Sequence, residues 1–318
     1  MENGSKRRDF IKSTAGFAAA ALAGSTLTTA RSAAAAPIQG PNPSKGARFR
    51  EALKQPFHAP VIESVLQARL CELEGFPLVC VSGQAPSRAL GIPDVGLVTM
   101  TDLLNHAGTI AANVDVPVLA DIEDGKGTAS HVYRAIQLFE RAGVAGVLME
   151  DADLVPHMGA PKGGLVTMAQ MVDKVHAAVD ARRDPNLVIL VAPVGLREGR
   201  AMNEVMERAA AYEEAGADAF WFPGLPLQDN PKAAAMVKKP LMSTDGTLAQ
   251  LKDANVAFAA ILDFGTISLG AVRRALQELK TTGSVQNATK EALPREIFRQ
   301  LDRSQEVRDR ARKYNVIK

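Results

Sequence analysis

Short apolar runs alternate with helix-like runs along most of this chain, and the alternation constrains its fold more than any other feature. A parallel strand covered on both faces is nearly continuously apolar, and eight runs have that character. A helical pattern follows each of them, beginning near residues 62, 101, 129, 168, 203, 231, 247 and 268. Successive strand–helix units predict an α/β protein and favour a (β/α)8 TIM barrel over an open doubly wound sheet. The predicted strands are Phe57–Val61, Pro77–Ser82, Pro117–Asp121, Gly146–Glu150, Leu187–Ala192, Ala219–Phe222, Pro240–Ser243 and Val256–Leu262.

Three glycines mark junctions where a predicted helix ends and a strand follows. Gly75, Gly143 and Gly216 each come directly after such a helix. Glycine readily adopts the left-handed conformation that commonly closes a helix. We therefore expect a positive φ angle at all three positions.

The first 35 residues predict an export signal rather than part of the folded domain. Residues 6–12, Lys-Arg-Arg-Asp-Phe-Ile-Lys, resemble the twin-arginine motif, and an apolar region from Ala15 to about Leu27 follows. Ala33 and Ala35 fit an A-x-A cleavage pattern. The alternatives are a disordered tail or a membrane helix, although the apolar region is too short for a membrane span. We expect a signal peptide over residues 1–35, and a periplasmic or secreted protein with no membrane anchor after processing.

The predicted signal also accounts for the basic balance of the chain. The whole chain has 37 Lys and Arg against 35 Asp and Glu, a net charge of +2. Residues 1–35 contain five Lys and Arg and two Asp and Glu, so the remainder has a net charge of −1. Such a balance indicates no nucleic-acid surface. Both cysteines, Cys71 and Cys80, are expected to be buried free thiols rather than a disulfide.

Helical patterns continue beyond the last barrel unit, so the chain divides into a lead-in over 36–55, a barrel over 56–283 and C-terminal helices over 284–318. These last helices have a narrow apolar stripe among charged residues. A closed barrel leaves little surface to cover it, which predicts a homodimer or homotetramer with these helices between subunits. The alternative is a tail that packs on its own barrel. The stripe consists of Ile297, Phe298, Leu301 and Val307.

Acidic residues follow two of the predicted strands. The run Pro117–Asp121 leads directly into Glu123, Asp124 and two glycines, and Gly146–Glu150 leads into Asp151. The carboxyl ends of parallel strands are where α/β folds bind ligands, and hard oxygen ligands suit Mg²⁺ or Mn²⁺. A solvated acidic turn would explain either run alone. Two acidic strand ends together favour one metal site.

Five short phrases occur in order along the chain: Val81–Gly83, Leu90–Met100, Ala120–Gly127, Ala142–Asp151 and Ala211–Asp218. Together they resemble the isocitrate lyase / phosphoenolpyruvate mutase superfamily, over nearly all of residues 45–318. The resemblance implies a (β/α)8 barrel whose last helix is exchanged with a partner subunit, and Mg²⁺ or Mn²⁺ held by carboxylates mostly through water. It also implies a small 2-oxo acid as substrate.

The resemblance assigns roles to particular positions. Asp121 matches the direct metal ligand, and Glu123 stands where the family usually has a second Asp. Ser82 and Gly83 match the turn that holds a substrate carboxylate and carbonyl. The positions matched as ligands through water are Asp94 and Glu150.

The chain departs from the family pattern at four places. The Lys-Arg-Cys-Gly-His loop, whose Cys is the family's acid/base, is replaced by the shorter segment 154–164, which has no Cys. The substrate-binding Arg after the fifth strand is missing from residues 191–195, and Pro223-Gly224 replaces a Glu after the sixth. Residues 242–245, Met-Ser-Thr-Asp, replace an Asn-Met-Thr-Glu-like turn. Cleavage of isocitrate or methylisocitrate by the usual mechanism is therefore not expected.

Other residues are candidates for the missing groups. His157 and Lys162 lie in a Gly- and Pro-rich segment of the kind that closes over barrel sites, and His titrates near neutrality. Arg197 and Arg200 follow the fifth strand, where they are candidates for a carboxylate-binding fork. Ser243, at the seventh strand end, is a further substrate-binding candidate. The alternatives are an exposed histidine without a role and ordinary surface arginines, and Phe220 and Trp221 are interpreted as packing residues.

The sequence thus predicts a Mg²⁺-dependent lyase that cleaves a carbon–carbon bond in a small, oxaloacetate-like 2-oxo or 2-hydroxy dicarboxylate through an enolate. A nearby alternative acts on a carbon–phosphorus bond, as the mutase and phosphonopyruvate branches do. A third hypothesis is a catalytically silent barrel that only binds a small acid. The missing Cys and Arg favour the silent barrel, whereas the carboxylate set favours the metal enzymes.

Overall fold

A computed structural model describes residues 43–153, 164–261 and 264–317. Each of the eight predicted strands is present, usually shorter by a residue or two at its ends. The strands are β1 Phe57–Pro60, β2 Val79–Val81, β3 Val118–Asp121, β4 Gly146–Glu150, β5 Val188–Ala192, β6 Ala219–Trp221, β7 Leu241–Ser243 and β8 Phe258–Ile261.

All of the strand pairs are parallel, and the sheet runs in the order β1-β8-β7-β6-β5-β4-β3-β2. The two outer strands of that order also meet. Val61, after β1, forms a parallel bridge with Cys80 of β2, and the N–H of Ile62 donates to the Cys80 carbonyl at 2.9 Å. The sheet therefore closes on itself, which confirms the predicted (β/α)8 barrel.

Helices follow the strands as the periodicity predicts, and three further ones, the first, third and eleventh in the order below, were not predicted. In the described residues they are α1 Lys45–Ala52, α2 Val65–Leu73, α3 Gln84–Leu90, α4 Met100–Ala111, α5 Ala129–Arg141, α6 Met168–Ala181, α7 Met202–Glu214, α8 Asn230–Ala234, α9 Leu248–Asp253, α10 Phe264–Thr282, α11 Gln286–Lys290, α12 Arg295–Leu301 and α13 Ser304–Lys313. No described helix is both long enough and apolar enough to span a membrane.

The helix α1 lies within the predicted polar lead-in. Its N-terminus is capped by Ser44, whose Oγ accepts from the N–H of Ala47 at 3.1 Å. Phe49 is fully buried and packs edge-on against Phe258, with ring centroids 5.9 Å apart. Because Phe258 begins β8, α1 covers the N-terminal end of the barrel.

The core forms two layers, one inside the barrel and one between the strands and the helices. On β4, Leu148 belongs to the inner layer, whereas Val147 and Met149 face the helices. Burying each such side chain stabilises the fold by about 1.5–3 kcal/mol. The helix-ending glycines have the predicted left-handed conformation, for example Gly143 with φ 86° and Gly216 with φ 108°.

The helix α10, which follows β8, differs from the other long helices because little of its surface is buried against the rest of the described chain. Gly265 is its only buried residue, and its described contacts with the barrel include Gln67 Nε2 to Ser268 Oγ at 3.4 Å, near its start. In the predicted apolar stripe that follows, Leu301 is buried on its own barrel, whereas Phe298 and Val307 are exposed. The exposed large apolar residues of α10 are Phe264, which is 38% exposed, and Ile267, Leu269, Val272, Leu276 and Leu279, each 47–64% exposed.

Candidate active site

Polar side chains from several strand ends reach one cavity of about 200 Å³ at the carboxyl end of the barrel. Asp121 is the last residue of β3, Glu150 is the last residue of β4, and Ser82 and Gly83 follow β2. Because parallel strands all end on the same side of a barrel, their terminal residues converge there. The polar lining is Ser82, Gly83, Gln84, Asp94, Asp121, Glu123, Glu150, Arg197 and Thr244.

The turn after β3 fixes Asp121 and Glu123 in this cavity. Asp121 accepts two backbone hydrogen bonds, from Gly83 N–H at 3.1 Å and from Glu123 N–H at 2.7 Å. Glu123 has φ 53°, a left-handed conformation that is uncommon and costly outside glycine. At Gly125, φ is 79° and a Cβ atom would lie 2.4 Å from Val132, so the turn requires glycine there. This backbone directs both carboxylates to the same side.

The third carboxylate of that turn points elsewhere. Asp124 is buried beside Lys174 of α6, whose Nζ donates to the Asp124 carbonyl at 2.7 Å and lies 3.9 Å from its carboxylate. Lys126, to which the sequence assigned no role, forms an ion pair with Glu123 and lies 3.4 Å from the carbonyl of Gly96. A lysine ammonium therefore stands at the edge of the acidic cluster.

The two acids at the end of β4 separate in the same way, because successive residues of a strand face opposite sides. Glu150 lines the cavity, whereas Asp151 is fully buried behind it. Asp151 accepts hydrogen bonds from Val194 N–H at 2.8 Å, from the Tyr212 hydroxyl at 2.9 Å and from Arg208 at 3.0 Å. This network anchors the end of β4, so Asp151 has a structural role.

Burial makes the charged state of the cavity acids unfavourable. The pKa of Asp121 is raised to about 6, mainly by burial; two backbone hydrogen bonds oppose this rise, and the charges of Glu123 and Asp94 add to it. Burial also raises the pKa of Glu150 to about 8, helped by the Asp121 charge and opposed by Arg197. A cation placed among these groups would remove this repulsion.

The donor set fits Mg²⁺ held largely through water. It consists of carboxylate oxygens, which are the ligands this hard cation prefers, and Mg²⁺ normally keeps several waters. In the part of the chain that the structure describes, no three His, Cys, Asp or Glu side chains are close enough together to bind an ion directly. A Cβ at Gly83 would lie 3.0 Å from Glu123 Oε1 and 3.5 Å from Asp121 Oδ2, so only glycine leaves the space between them open.

Arg197 also lines this cavity, and its charge acts on Glu150. It follows the 3-10 turn Val194–Leu196, and its guanidinium lies 5.7 Å from the ring centroid of Trp221. Trp221 lines the cavity, whereas Phe220 is fully buried and stacks on Phe222. The packing interpretation therefore fits Phe220, whereas Trp221 contributes to the cavity. Because successive side chains of a strand point to opposite sides, the sequence could have distinguished the two residues.

The remaining predicted substrate residues lie outside this cavity. Arg200 is exposed and pairs with Glu204 at 3.6 Å. Ser243 is buried, donates to Asp245 at 3.2 Å, and lines an adjoining cavity of about 110 Å³ together with Arg197. The catalytic candidates His157 and Lys162 belong to residues 154–163, outside the described residues.

A closed parallel barrel with charged residues at the carboxyl ends of its strands has the architecture of an enzyme. Residues 49–284 match the model of the phosphoenolpyruvate phosphomutase family. The chain therefore belongs to this family, within the isocitrate lyase / phosphoenolpyruvate mutase superfamily that the motifs resembled.

Individual relatives support the same assignment. A 2-methylisocitrate lyase from Shewanella oneidensis is 37% identical over 246 residues, which are 74% of this chain and 82% of that enzyme. An oxaloacetate decarboxylase from a Bradyrhizobium species is 32% identical over 265 residues, 81% of this chain and 92% of the relative. A phosphonopyruvate hydrolase, solved with oxalate and Mg²⁺, superposes with a TM-score of 0.77 at 26% identity, over 85% of this chain and 99% of the other. The family and the curated relatives make this chain an enzyme of the carbon–carbon lyase type.

Proposed function

We propose that this protein is a Mg²⁺-dependent lyase, with Mn²⁺ as a substitute, that cleaves a carbon–carbon bond in a small oxaloacetate-like 2-oxo or 2-hydroxy dicarboxylate. The observation that carries the proposal is the single cavity in which Asp121 and Glu150 meet the turn of Ser82 and Gly83, with Arg197 in the same lining. Carboxylates and a guanidinium in one cavity suit a metal and a dicarboxylate side by side.

Each group has a distinct part in this proposal. Asp121 and Glu123 would hold the metal with Asp94 and Glu150, mostly through water. The metal supplies Lewis-acid stabilisation of the negative charge that the broken bond leaves behind. Arg197, oriented by Trp221, would bind the second carboxylate through its fork of N–H donors. We assign proton exchange with the enolate to His157 or Lys162.

Turnover is tested by proton and phosphorus NMR of the purified protein with Mg²⁺ and a panel of 2-oxo dicarboxylates, 2-hydroxy dicarboxylates and phosphonates. We expect a dicarboxylate to be consumed only when Mg²⁺ is present. Consumption of a phosphonate alone would instead assign the carbon–phosphorus reaction. Mg²⁺-dependent binding without any turnover would refute the lyase and leave the silent acid-binding barrel.

We also propose that the chain assembles into a homodimer or homotetramer through its C-terminal helices. The support is α10, a 19-residue helix with one buried residue and exposed leucines on its apolar face. An apolar surface of this kind is seldom left in water, and a second copy offers the same element in return. Residues 284–318, with Phe298 and Val307 exposed, would extend the interface.

Export through the twin-arginine pathway remains a proposal, with residues 1–35 removed and the mature protein periplasmic or secreted. Replacing Arg7 and Arg8 together by Lys would preserve the charge and remove the motif. We expect the precursor of this variant to accumulate in the cytoplasm of a twin-arginine-competent host. Normal recovery of the processed protein from the periplasm would contradict the assignment.

A further inference from the structure

The cavity has a second, apolar wall beneath the polar one. This wall consists of Cys80, Leu119, Leu148 and Met242, and each of them precedes a polar lining residue by two positions along the chain, at or just beyond the end of its strand. Residues two apart on a strand share a face and lie about 6.6 Å apart along it. The apolar residues therefore form a deeper layer inside the barrel, directly below Ser82, Asp121, Glu150 and Thr244. Val61 of the segment after β1 and Ala260 of β8 complete this layer.

On one side of the deep layer, two of the three lining side chains, those of Ala260 and Cys80, are small. Ala260, Val61 and Cys80 stand on neighbouring strands, since β1 pairs with β8 and bridges to β2. Barrels of this kind normally fill this level with Val, Ile and Leu, so the side chains of Ala260 and Cys80 are smaller than usual. Here the cavity extends down to all three residues, although each is only 4–8% exposed.

The chemistry of the deep layer excludes a polar occupant. None of its six side chains is charged, and burial raises the pKa of the Cys80 thiol so far that it stays protonated and behaves as a small hydrophobe. A water molecule there would find few of the polar partners it needs. An apolar group displaces such water favourably, at about 0.8 kcal/mol per methylene.

We propose that the substrate has an alkyl substituent which fills this deep layer while its carboxylates and oxygen face the polar layer. The inference rests on the proposed function and narrows it. The preferred substrate is an alkyl-substituted 2-oxo or 2-hydroxy acid rather than unsubstituted oxaloacetate. Cys80 is then a specificity-determining residue, because its size sets the room beside Val61 and Ala260.

Calorimetric binding with saturating Mg²⁺ tests this without turnover. The probes are oxalate, which has no alkyl group, and the series pyruvate, 2-oxobutyrate and 2-oxopentanoate. We expect affinity to rise about fourfold with each added methylene, which corresponds to the free energy of burying one such group. Relative to oxalate binding by the same variant, Cys80→Val should reduce that gain and Cys80→Ala should preserve or extend it.

Cys71→Val is the matched control, because Cys71 is a buried thiol of α2 that does not line the cavity. It should leave the whole series unchanged, and thermal melts establish that all three variants fold. If oxalate binds with Mg²⁺ but affinity is flat or falls along the series, the alkyl inference is wrong and the proposed function stands. If no probe binds with Mg²⁺, the proposed function fails and the inference fails with it.

Discussion

Replacing Asp121 by Asn is the sharpest test of the metal site, because it removes one charge and almost no volume. In the metal-free protein two effects oppose each other. The pKa of about 6 against an ordinary 3.8 means that ionising this buried carboxyl costs roughly 3 kcal/mol, less where the cavity admits water, and Asn removes that cost. The Asn amide has one oxygen, which can accept from either Gly83 N–H or Glu123 N–H, whereas its NH2 group faces the remaining N–H. The lost hydrogen bond destabilises the folded protein by about 1–3 kcal/mol.

These opposing terms leave the metal-free variant within about 2 kcal/mol of the wild-type stability, so it should fold. Its response to Mg²⁺ should differ completely. A ligand at a hundredfold excess over its dissociation constant stabilises the native state by about 2.7 kcal/mol. For a domain of this size that raises Tm by roughly 5–10 °C. We expect this rise in the wild type and none in Asp121→Asn.

The assay is thermal denaturation with and without MgCl2 at pH 8, where Asp121, with a pKa of about 6, is ionised and Glu150, with a pKa of about 8, is about half ionised. Asp124→Asn is the matched control, since the same change falls three residues away on a carboxylate that faces Lys174. Its Tm should drop, because Lys174 loses a charged neighbour, but the Mg²⁺-induced rise should persist. A full Mg²⁺ response in Asp121→Asn, or loss of the response in Asp124→Asn, would refute the assignment of Asp121 as the direct ligand.

Three further predictions follow from the same structure. The pKa of Glu150 is raised to about 8 from an ordinary 4.5, so the folded protein holds a proton there that the unfolded chain releases. Its contribution to metal-free stability is therefore complete below pH 4.5 and is lost as pH rises through 8, by up to about 1.4 kcal/mol per pH unit. Melts between pH 5 and 8.5 should show that loss, and saturating Mg²⁺ should flatten it; equal pH slopes with and without metal would contradict this. Arg197→Lys should raise KM for a dicarboxylate about 10–100-fold with a smaller effect on kcat, whereas Arg200→Lys should change neither constant. Equal effects of the two substitutions in steady-state kinetics would show that Arg197 does not bind the substrate. Leu276→Glu places a charge on the apolar face of α10 and should dissociate the oligomer, whereas Gln277→Glu should not. Light scattering that shows an unchanged mass for Leu276→Glu would place the interface elsewhere.

The barrel was predictable because its determinants are local. Each strand is an apolar run and each helix has its own periodicity, so all eight strands were found within a few residues. Gly143 and Gly216 end helices by a conformational rule that needs no tertiary information. The helix α1 was missed because contacts with distant parts of the chain hold it in place, such as Phe49 against Phe258 and Arg50 with Asp218 at 2.9 Å, and no local pattern shows these.

The sequence by itself also placed acids at strand ends, but only the tertiary structure decided which of them face the cavity. Asp121 and Asp124 are three residues apart, and a left-handed Glu123 with a lysine from α6 sends one inward and the other outward. Arg197 and Arg200 differ in the same way, since Trp221 of β6 neighbours the first and Glu204 of α7 pairs with the second. The direction of a side chain beyond a strand depends on the turn that follows and on partners far away in the chain. Composition and spacing determine which groups reach the strand ends, and packing determines which of them can act together.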